Sequence, residues 1–169
     1  KHYQMQNIVL DPVIITKHGA TLLADDAYQA FLDELVPLAT IITPNFFEAQ
    51  KLTELELKNE DEIKQRARKL QKMGVKNVLI KGSHHNSNQT EVKDYLLLAD
   101  GSEEWLTKPY FKTDRVNGTG DTLSSVITAE LAKGTDLKTA VKIAKDFTYE
   151  AISHPINVGS KYGPINHLA

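Results

Sequence analysis

Two glycines and an aspartate stand close together in the segment Asn-Gly-Thr-Gly-Asp-Thr, residues 117–122. Gly118 and Gly120 let the backbone turn tightly with its N–H groups exposed, and the residues that follow predict a helix whose positive end lies there. These amides, with Thr119 between them, can hold a phosphate while Asp121 accepts a proton from an attacking hydroxyl. The pattern predicts phosphoryl transfer to a hydroxyl; an ordinary helix start with an aspartate in its first turn is the alternative.

An asparagine and a glutamate form a second candidate pair. Asn45 and Glu48 are three positions apart, so they share one face of a helix that starts at this point. One amide and one carboxylate can hold the water shell of a Mg²⁺ ion near phosphates. The alternative is a capping pair, in which Asn45 caps the helix and Glu48 completes the cap. On spacing alone the capping pair fits better.

Two further candidate residues lie at the ends of apolar runs, and two histidines follow one of them. Lys81 ends such a run and precedes Gly82, from where an ammonium group can reach a phosphate tail; a solvated lysine is the alternative. Asp11 lies at the end of its own run, within reach of a metal or a phosphate, or caps a loop. His84 and His85 are adjacent, but the sequence offers no third ligand for a metal site.

Strands and helices alternate along the chain, which predicts a three-layer α/β sheet with right-handed crossovers. The apolar runs predict buried strands at residues 7–13, 39–43 and 75–81, and a hairpin whose strands cover 92–99 and 104–106. A polar loop is predicted at 82–90. The predicted helices begin at Asp25 or Asp26, at Asn45, at Asn59, at Thr122 and at Asp136.

The composition is that of a folded globular protein, with 41% hydrophobic residues, 25% charged residues and a net charge of −2. The chain has no basic excess for nucleic acid and no apolar run of the roughly 18 residues that a membrane span needs. It has no cysteine, which excludes disulfides and thiolate metal sites. The length predicts one domain over residues 1–169.

Five segments in a fixed order give the chain a resemblance to a known superfamily. Residues 7–13, 43–49, 78–84, 117–122 and 163–167 together resemble the ribokinase-like vitamin kinases. Within them the chain is most similar to the hydroxymethylpyrimidine/phosphomethylpyrimidine kinases of thiamine synthesis and to the related bacterial pyridoxal kinases. The resemblance covers essentially all of the chain. It implies a three-layer α/β/α sheet, mostly parallel, with a small hairpin, and a C-terminal portion that lacks the N-terminal part of the fold.

The resemblance also implies an activity. The expected enzyme transfers a phosphoryl group from ATP, with Mg²⁺, to the hydroxymethyl group of a small heterocycle, with hydroxymethylpyrimidine or its phosphate as first choice. A pyridoxine or pyridoxal kinase of vitamin B6 salvage is one alternative. A degenerate α/β module that binds nucleotide without catalysis is the other. The expected partner is a small molecule and neither nucleic acid nor membrane; a homodimer and a cytoplasmic location are expected with it.

The resemblance assigns roles to residues at matching positions, and it reverses the preference for a simple capping pair at Asn45 and Glu48. Asp121 is the expected base and, with Val13, contacts the acceptor, while Gly118, Thr119 and Gly120 hold the phosphoryl group. Glu48 and Asp11 are the expected metal ligands. The residues implied in ATP binding are Asn45, Glu48, Lys81, Gly82, Ser83, His84, His85, Asp94 and Gly120.

Two positions depart from the pattern of the close relatives. Many of the pyrimidine kinases carry a cysteine where this chain has Asp121, whereas the wider superfamily carries an aspartate. The residue before the first glycine is commonly histidine and is Asn117 here, so no imidazole is available at that position.

Overall fold

The computed structural model describes residue 3 and residues 5–15, 20–54, 60–82, 89–159 and 163–169. These residues belong to two compact units. The first consists of Lys1–Ser87 and Val92–Thr107, and the second of Asn88–Glu91 and Lys108–Ala169. The predicted assignment of residues 1–169 to one domain stays a prediction.

A five-stranded sheet dominates the first unit. Its strands are β1 (Val9–Leu10), β2 (Ile41–Ile42), β3 (Asn77–Ile80), β4 (Glu91–Leu97) and β5 (Glu103–Pro109), and they lie side by side in chain order. β1, β2 and β3 are parallel, whereas β4 runs antiparallel to β3. The predicted α/β class is confirmed, but the sheet is mixed, because the hairpin supplies two of its five strands.

The side chains of these segments explain why they form strands of the sheet. Ile41 and Ile42 of β2 are fully buried, and so is every residue of β3, as expected for parallel strands that are covered on both faces. The hairpin turns at Gly101, whose φ of 84° suits glycine. Across the hairpin the rings of Tyr95 and Trp105 pack with centroids 4.8 Å apart.

Among the described residues of the first unit, three α-helices accompany the sheet: α1 (Asp25–Ala30), α2 (Phe46–Thr53) and α3 (Glu60–Lys72). α1 continues through a π-helical turn at Phe31–Leu35 and a 3₁₀ turn at Val36–Leu38, and Pro37 lies in that last turn. The prediction that Asp25 or Asp26 caps this helix is wrong: Ala24 is the N-cap, and Asp26 accepts a hydrogen bond from the neighbouring Ala27 N–H. Asn59, the predicted cap of α3, lies outside the described residues.

Two helices form the core of the second unit. α4 (Thr119–Ala132) and α5 (Leu137–Ser153) pack against each other. Gly134, with a φ of 89°, ends α4 as predicted. Asp136, where the second helix was predicted to begin, is the N-cap of α5 and accepts a hydrogen bond from Thr139 N–H at 3.0 Å. In the described part of the chain, no helix combines the length and the apolar character needed to cross a membrane.

Candidate functional site

The carboxyl ends of the three parallel strands bring predicted site residues together in the first unit. Asp11 follows β1, Asn45 lies three residues after β2, and Lys81 comes directly after β3. The backbone holds this edge in register, because Lys81 N–H donates to the Pro44 carbonyl at 2.8 Å. Ligands of open α/β sheets bind at such strand ends. We call Asp11, Asn45, Glu48 and Lys81 the strand-end cluster.

An ion pair lies at the centre of the strand-end cluster. Lys81 Nζ is 3.0 Å from Asp11 Oδ1, and their side chains are only 16% and 14% exposed. The hydroxyl of Thr43 donates to the same oxygen at 3.2 Å. Sequence reasoning missed Thr43, because its only signal is its place between a buried strand and a proline. The ion pair holds the Lys81 ammonium at the strand ends, and the predicted solvated lysine does not fit this geometry.

Asn45 and Glu48 form a complete capping box at the start of α2. Glu48 N–H donates to Asn45 Oδ1 at 2.9 Å, and Asn45 N–H donates to Glu48 Oε2 at 2.7 Å. The capping pair considered from the spacing is therefore present. Because the remaining carboxylate oxygen is not needed for the cap, the geometry is compatible with a role of Glu48 toward a metal, which stays a prediction.

The carboxyl group of Glu48 is unusual in its environment, since the residue is only 4% exposed. Burial raises its pKa from the ordinary value of 4.5 to about 7. The hydrogen bond from Asn45 N–H and the charge of Lys81 lower the pKa, and the charge of Asp11 raises it, but burial has the largest effect. A cation bound here would favour the charged form of Glu48.

Asp94 and Gly82 shape the chain immediately after β3. Gly82 N–H donates to the buried Asp94 Oδ1 at 2.8 Å. Gly82 must be glycine for steric reasons, because a Cβ atom there would lie 2.3 Å from the Lys93 carbonyl oxygen of β4. Asp94 thus fixes the backbone next to Lys81, and its predicted contact with nucleotide stays a prediction. Ser83, His84 and His85 lie outside the described residues, as does most of the predicted polar loop.

Val13 follows Asp11 on the same surface segment. Its side chain is 54% exposed, and its N–H donates to the Asp11 carbonyl at 3.0 Å, so the chain bends just after β1. An exposed apolar side chain at this position can contact a ligand. The predicted role of Val13 toward the acceptor stays a prediction.

The glycine motif, residues 117–122, lies in the second unit and forms the start of α4. Gly118 is the N-cap with a φ of 91°, and its carbonyl accepts the first helical hydrogen bond from Thr122 N–H at 2.9 Å. The helix therefore begins at Thr119, three residues before the predicted start at Thr122. The first-turn N–H groups of a helix have no partner within it, so those of Gly120 and Asp121 belong to the end that attracts anions.

Asp121 is the third residue of α4, and it is exposed. Its place in the first turn of α4 is compatible with the predicted base, and that role stays a prediction. This combination of anion-binding amides and an accessible base is what phosphoryl transfer to a hydroxyl requires.

Oxygen donors for a cation are present in the strand-end cluster, although few. Within the described ranges, no group of three or more histidine, aspartate or glutamate side chains could hold a metal ion. Asp11 and Glu48 are two carboxylates in a common environment. Mg²⁺ is usually held by one or two carboxylates together with phosphates and water, so this pair fits Mg²⁺ and does not form a closed protein cage.

Comparison with known proteins gives consistent matches. The family model described as phosphomethylpyrimidine kinase matches residues 1–166. A hydroxymethylpyrimidine/phosphomethylpyrimidine kinase from Haemophilus influenzae is 51% identical over 163 residues, which are 96% of this chain and 61% of that protein.

Two solved structures are also similar. A Bacillus subtilis pyridoxal kinase in complex with ADP superposes with a TM-score of 0.85 at 33% identity, covering 98% of this chain and 60% of that one. A phosphomethylpyrimidine kinase from Clostridium difficile gives a TM-score of 0.71 at 35% identity, covering 89% of this chain and 59% of that one. The chain thus spans about 60% of the length of these relatives.

Proposed function

Because the chain belongs to the phosphomethylpyrimidine kinase family, we propose that it phosphorylates the hydroxymethyl group of a small heterocycle with ATP as the donor. Hydroxymethylpyrimidine or its phosphate is the preferred acceptor, and thiamine biosynthesis is the corresponding pathway. The 51% identity to the Haemophilus influenzae kinase supports this choice. The structural observation that carries the proposal is the exposed Asp121 in the first turn of α4, directly after the left-handed Gly118.

The proposed reaction is an in-line transfer. Asp121 takes the proton of the acceptor hydroxyl while the hydroxyl oxygen forms a bond to the γ-phosphorus of ATP. The bond from that phosphorus to the β–γ bridging oxygen breaks, and ADP leaves with the electron pair. The amides of the segment 118–121, foremost those of Gly120 and Asp121, stabilise the charge on the transferring group.

Residues of the strand-end cluster are assigned to the triphosphate and its cation. Lys81 carries the positive charge that steadies the phosphates, and Asn45 and Gly82, with Ser83, His84, His85 and Asp94, complete the proposed ATP contacts. Asp11 and Glu48 would hold Mg²⁺, which neutralises phosphate charge when it is bound. The support is the ion pair of Lys81 with Asp11 and the buried carboxyl group of Glu48.

A pyridoxine or pyridoxal kinase is the second candidate, and one observation favours it. The TM-score of 0.85 with the Bacillus subtilis pyridoxal kinase exceeds the 0.71 with the Clostridium difficile phosphomethylpyrimidine kinase. Both activities would use the same base, amides and ATP contacts. Val13 and Asp121 are the residues of this chain that we assign to the acceptor in either case.

We further propose a cytoplasmic enzyme whose partner is its small-molecule substrate. The net charge of −2 argues against a nucleic-acid partner, because a protein that binds a polyanion needs a basic surface. A homodimer is the assembly to test by light scattering.

A substrate panel tests the proposal. ADP formation from ATP is measured on the full-length protein that contains this chain, with hydroxymethylpyrimidine, its phosphate, pyridoxine, pyridoxal or no acceptor, each with Mg²⁺ and with a chelator. We expect acceptor-dependent ADP formation that is fastest with the pyrimidines and is lost with the chelator. Faster turnover of pyridoxal would favour the second candidate. Nucleotide binding without turnover on any acceptor would support the non-catalytic module.

A further inference from the structure

The C-terminal segment 163–167, called the tail, binds the glycine motif on both of its sides. Before the first glycine, Asn117 Nδ2 donates to the Gly163 carbonyl at 3.2 Å, and Ile165 N–H donates to the Asn117 carbonyl at 3.3 Å. After Asp121, Thr122 Oγ1 and His167 Nε2 share a hydrogen bond of 2.8 Å. The tail thus brackets the residues assigned to phosphoryl transfer.

The tail is itself fixed to the end of α5. Ile165 is 1% exposed, which anchors the segment in the core of the second unit. Asn166 N–H donates to the Ala151 carbonyl at 2.8 Å, and its side chain donates to the His154 carbonyl at 2.9 Å. His167 therefore follows two anchored residues, and it can hold a neighbouring element in place.

The start of α4 has no side-chain cap of its own. Its N-cap, Gly118, has no side chain that could accept a hydrogen bond from the first turn. Gly120 lies within that turn and is a poor helix former because of its conformational freedom. Thr122 makes the first helical hydrogen bond, so its position decides where the first turn begins. A contact that fixes Thr122 from outside compensates for the missing cap.

We propose that His167 is a positioning residue for phosphoryl transfer, acting through Thr122 to hold the first turn of α4. The turn carries the amides of Gly120 and Asp121 and the carboxylate of Asp121, whose directions must be kept within narrow limits in the transition state. This inference rests on the proposed function, but the hydrogen bond that it concerns can be tested without turnover.

The test compares four single variants and one double variant with the wild-type protein. His167→Ala removes the hydrogen bond, His167→Gln places an amide group at a similar reach, and Thr122→Val removes the partner hydroxyl at nearly unchanged volume. His154→Ala is the matched control, because this exposed histidine, which directly follows α5, contacts Glu150 of that helix and holds Asn166 only through its backbone carbonyl.

The kinetic constants kcat and KM for ATP and the rate of amide exchange at Thr122 N–H are measured on each protein. We expect His167→Ala to lower kcat by roughly ten- to a hundredfold with a nearly unchanged KM for ATP, because misplaced groups cost rate and not nucleotide binding. Amide exchange at Thr122 N–H should become faster, since its bond to the Gly118 carbonyl is no longer held in place. His167→Gln should restore most of the wild-type kcat and most of the slow amide exchange at Thr122. His154→Ala should change neither kcat nor the exchange rate.

The double variant Thr122→Val with His167→Ala should lose no more than either single variant, because both remove one interaction. Unchanged exchange in His167→Ala, additive losses in the double variant, or an unchanged kcat despite faster exchange would each overturn the positioning role. If His167→Ala does not fold, Thr122→Val and His167→Gln decide the same question. A wild-type protein without turnover would contradict the proposed function, and unchanged exchange would then contradict the contact separately.

Discussion

The carboxyl group of Glu48 is both half of a capping box and a buried acid with a pKa of about 7. These two properties make different demands, because the cap needs only an acceptor oxygen, whereas binding of a cation needs a negative charge. Glutamine supplies the acceptor without the charge, and alanine supplies neither. Variants of this one residue can therefore separate its structural contribution from its functional one.

The first prediction concerns stability against pH for Glu48→Gln. The folded protein, with the pKa of Glu48 at about 7, retains a proton that the unfolded chain loses near 4.5. The free energy of unfolding of the wild-type protein should therefore fall as the pH rises through this window. Because glutamine does not titrate, Glu48→Gln should gain melting temperature relative to the wild type as the pH rises from about 4.5 to about 7. A constant difference across that range would contradict the raised pKa.

The second prediction concerns Mg²⁺. Glu48→Gln should raise the Mg²⁺ concentration needed for half-maximal turnover, because the charged ligand is lost while the capping box remains. Glu48→Ala is the control for the cap and should in addition lose about 1 kcal/mol of stability or more. A Mg²⁺ titration of Glu48→Gln that matches the wild type would leave Glu48 with the capping role alone.

The sequence showed the pairing of Asn45 with Glu48 but could not decide between its two interpretations. Spacing defines which side chains share a face, and this was sufficient to predict both the cap and the metal role. The burial of Glu48 depends on the packing around α2, and the ion pair of Lys81 with Asp11 joins residues that follow two different strands. The burial of Glu48 and the ion pair of Lys81 with Asp11 depend on residues distant in the sequence, so local spacing cannot predict them. Both affect the electrostatic environment of a ligand bound at this site.

At the scale of elements, the backbone that follows β3 can approach β4 closely because Gly82 has no side chain. A Cβ atom at Gly82 would lie 2.3 Å from the Lys93 carbonyl, a distance that requires one of the two strands to move. The Gly82 amide is also the donor to Asp94. Gly101 in the hairpin turn is different, since a Cβ atom there would meet nothing within 4 Å.

The third prediction compares these two glycines. Gly82→Ala should lower the free energy of unfolding by about 1–3 kcal/mol, the usual cost of overpacking. Gly101→Asn should be nearly neutral, because asparagine tolerates a positive φ and the site is open. Urea denaturation of both variants measures the difference. Equal stability of the two variants would show that the sheet accommodates a methyl group at Gly82.

Prediction of the elements from sequence succeeded where one pattern dominated. The apolar runs located all three parallel strands, and Asp136 and Gly134 marked the adjoining ends of the last two helices. The start of α4 was placed three residues too late, because two glycines disfavour a helix interior. In the structure Gly118 is the N-cap, where a left-handed glycine fits, and Gly120 lies in the first turn, where few intrahelical bonds are lost.

At the scale of the whole molecule, the chain spans about 60% of the length of its relatives, which are named as phosphomethylpyrimidine kinases and as pyridoxal kinases. The residues assigned here to the base, the amides and the ATP phosphates are common to both activities. Only Val13 and Asp121 are assigned to the acceptor, and an exposed valine does not distinguish a pyrimidine from a pyridine ring.

The central claim is that this chain supplies a kinase with Asp121 as its base. Turnover and the ATP dissociation constant are therefore measured on the same preparations of wild type, Asp121→Asn and the control Asp146→Asn, an exposed aspartate of α5 paired with Lys108. We predict that Asp121→Asn lowers turnover by roughly 10²–10⁴ with ATP affinity nearly unchanged, and that Asp146→Asn changes neither. Retention of more than about a tenth of wild-type turnover in Asp121→Asn would contradict the claim.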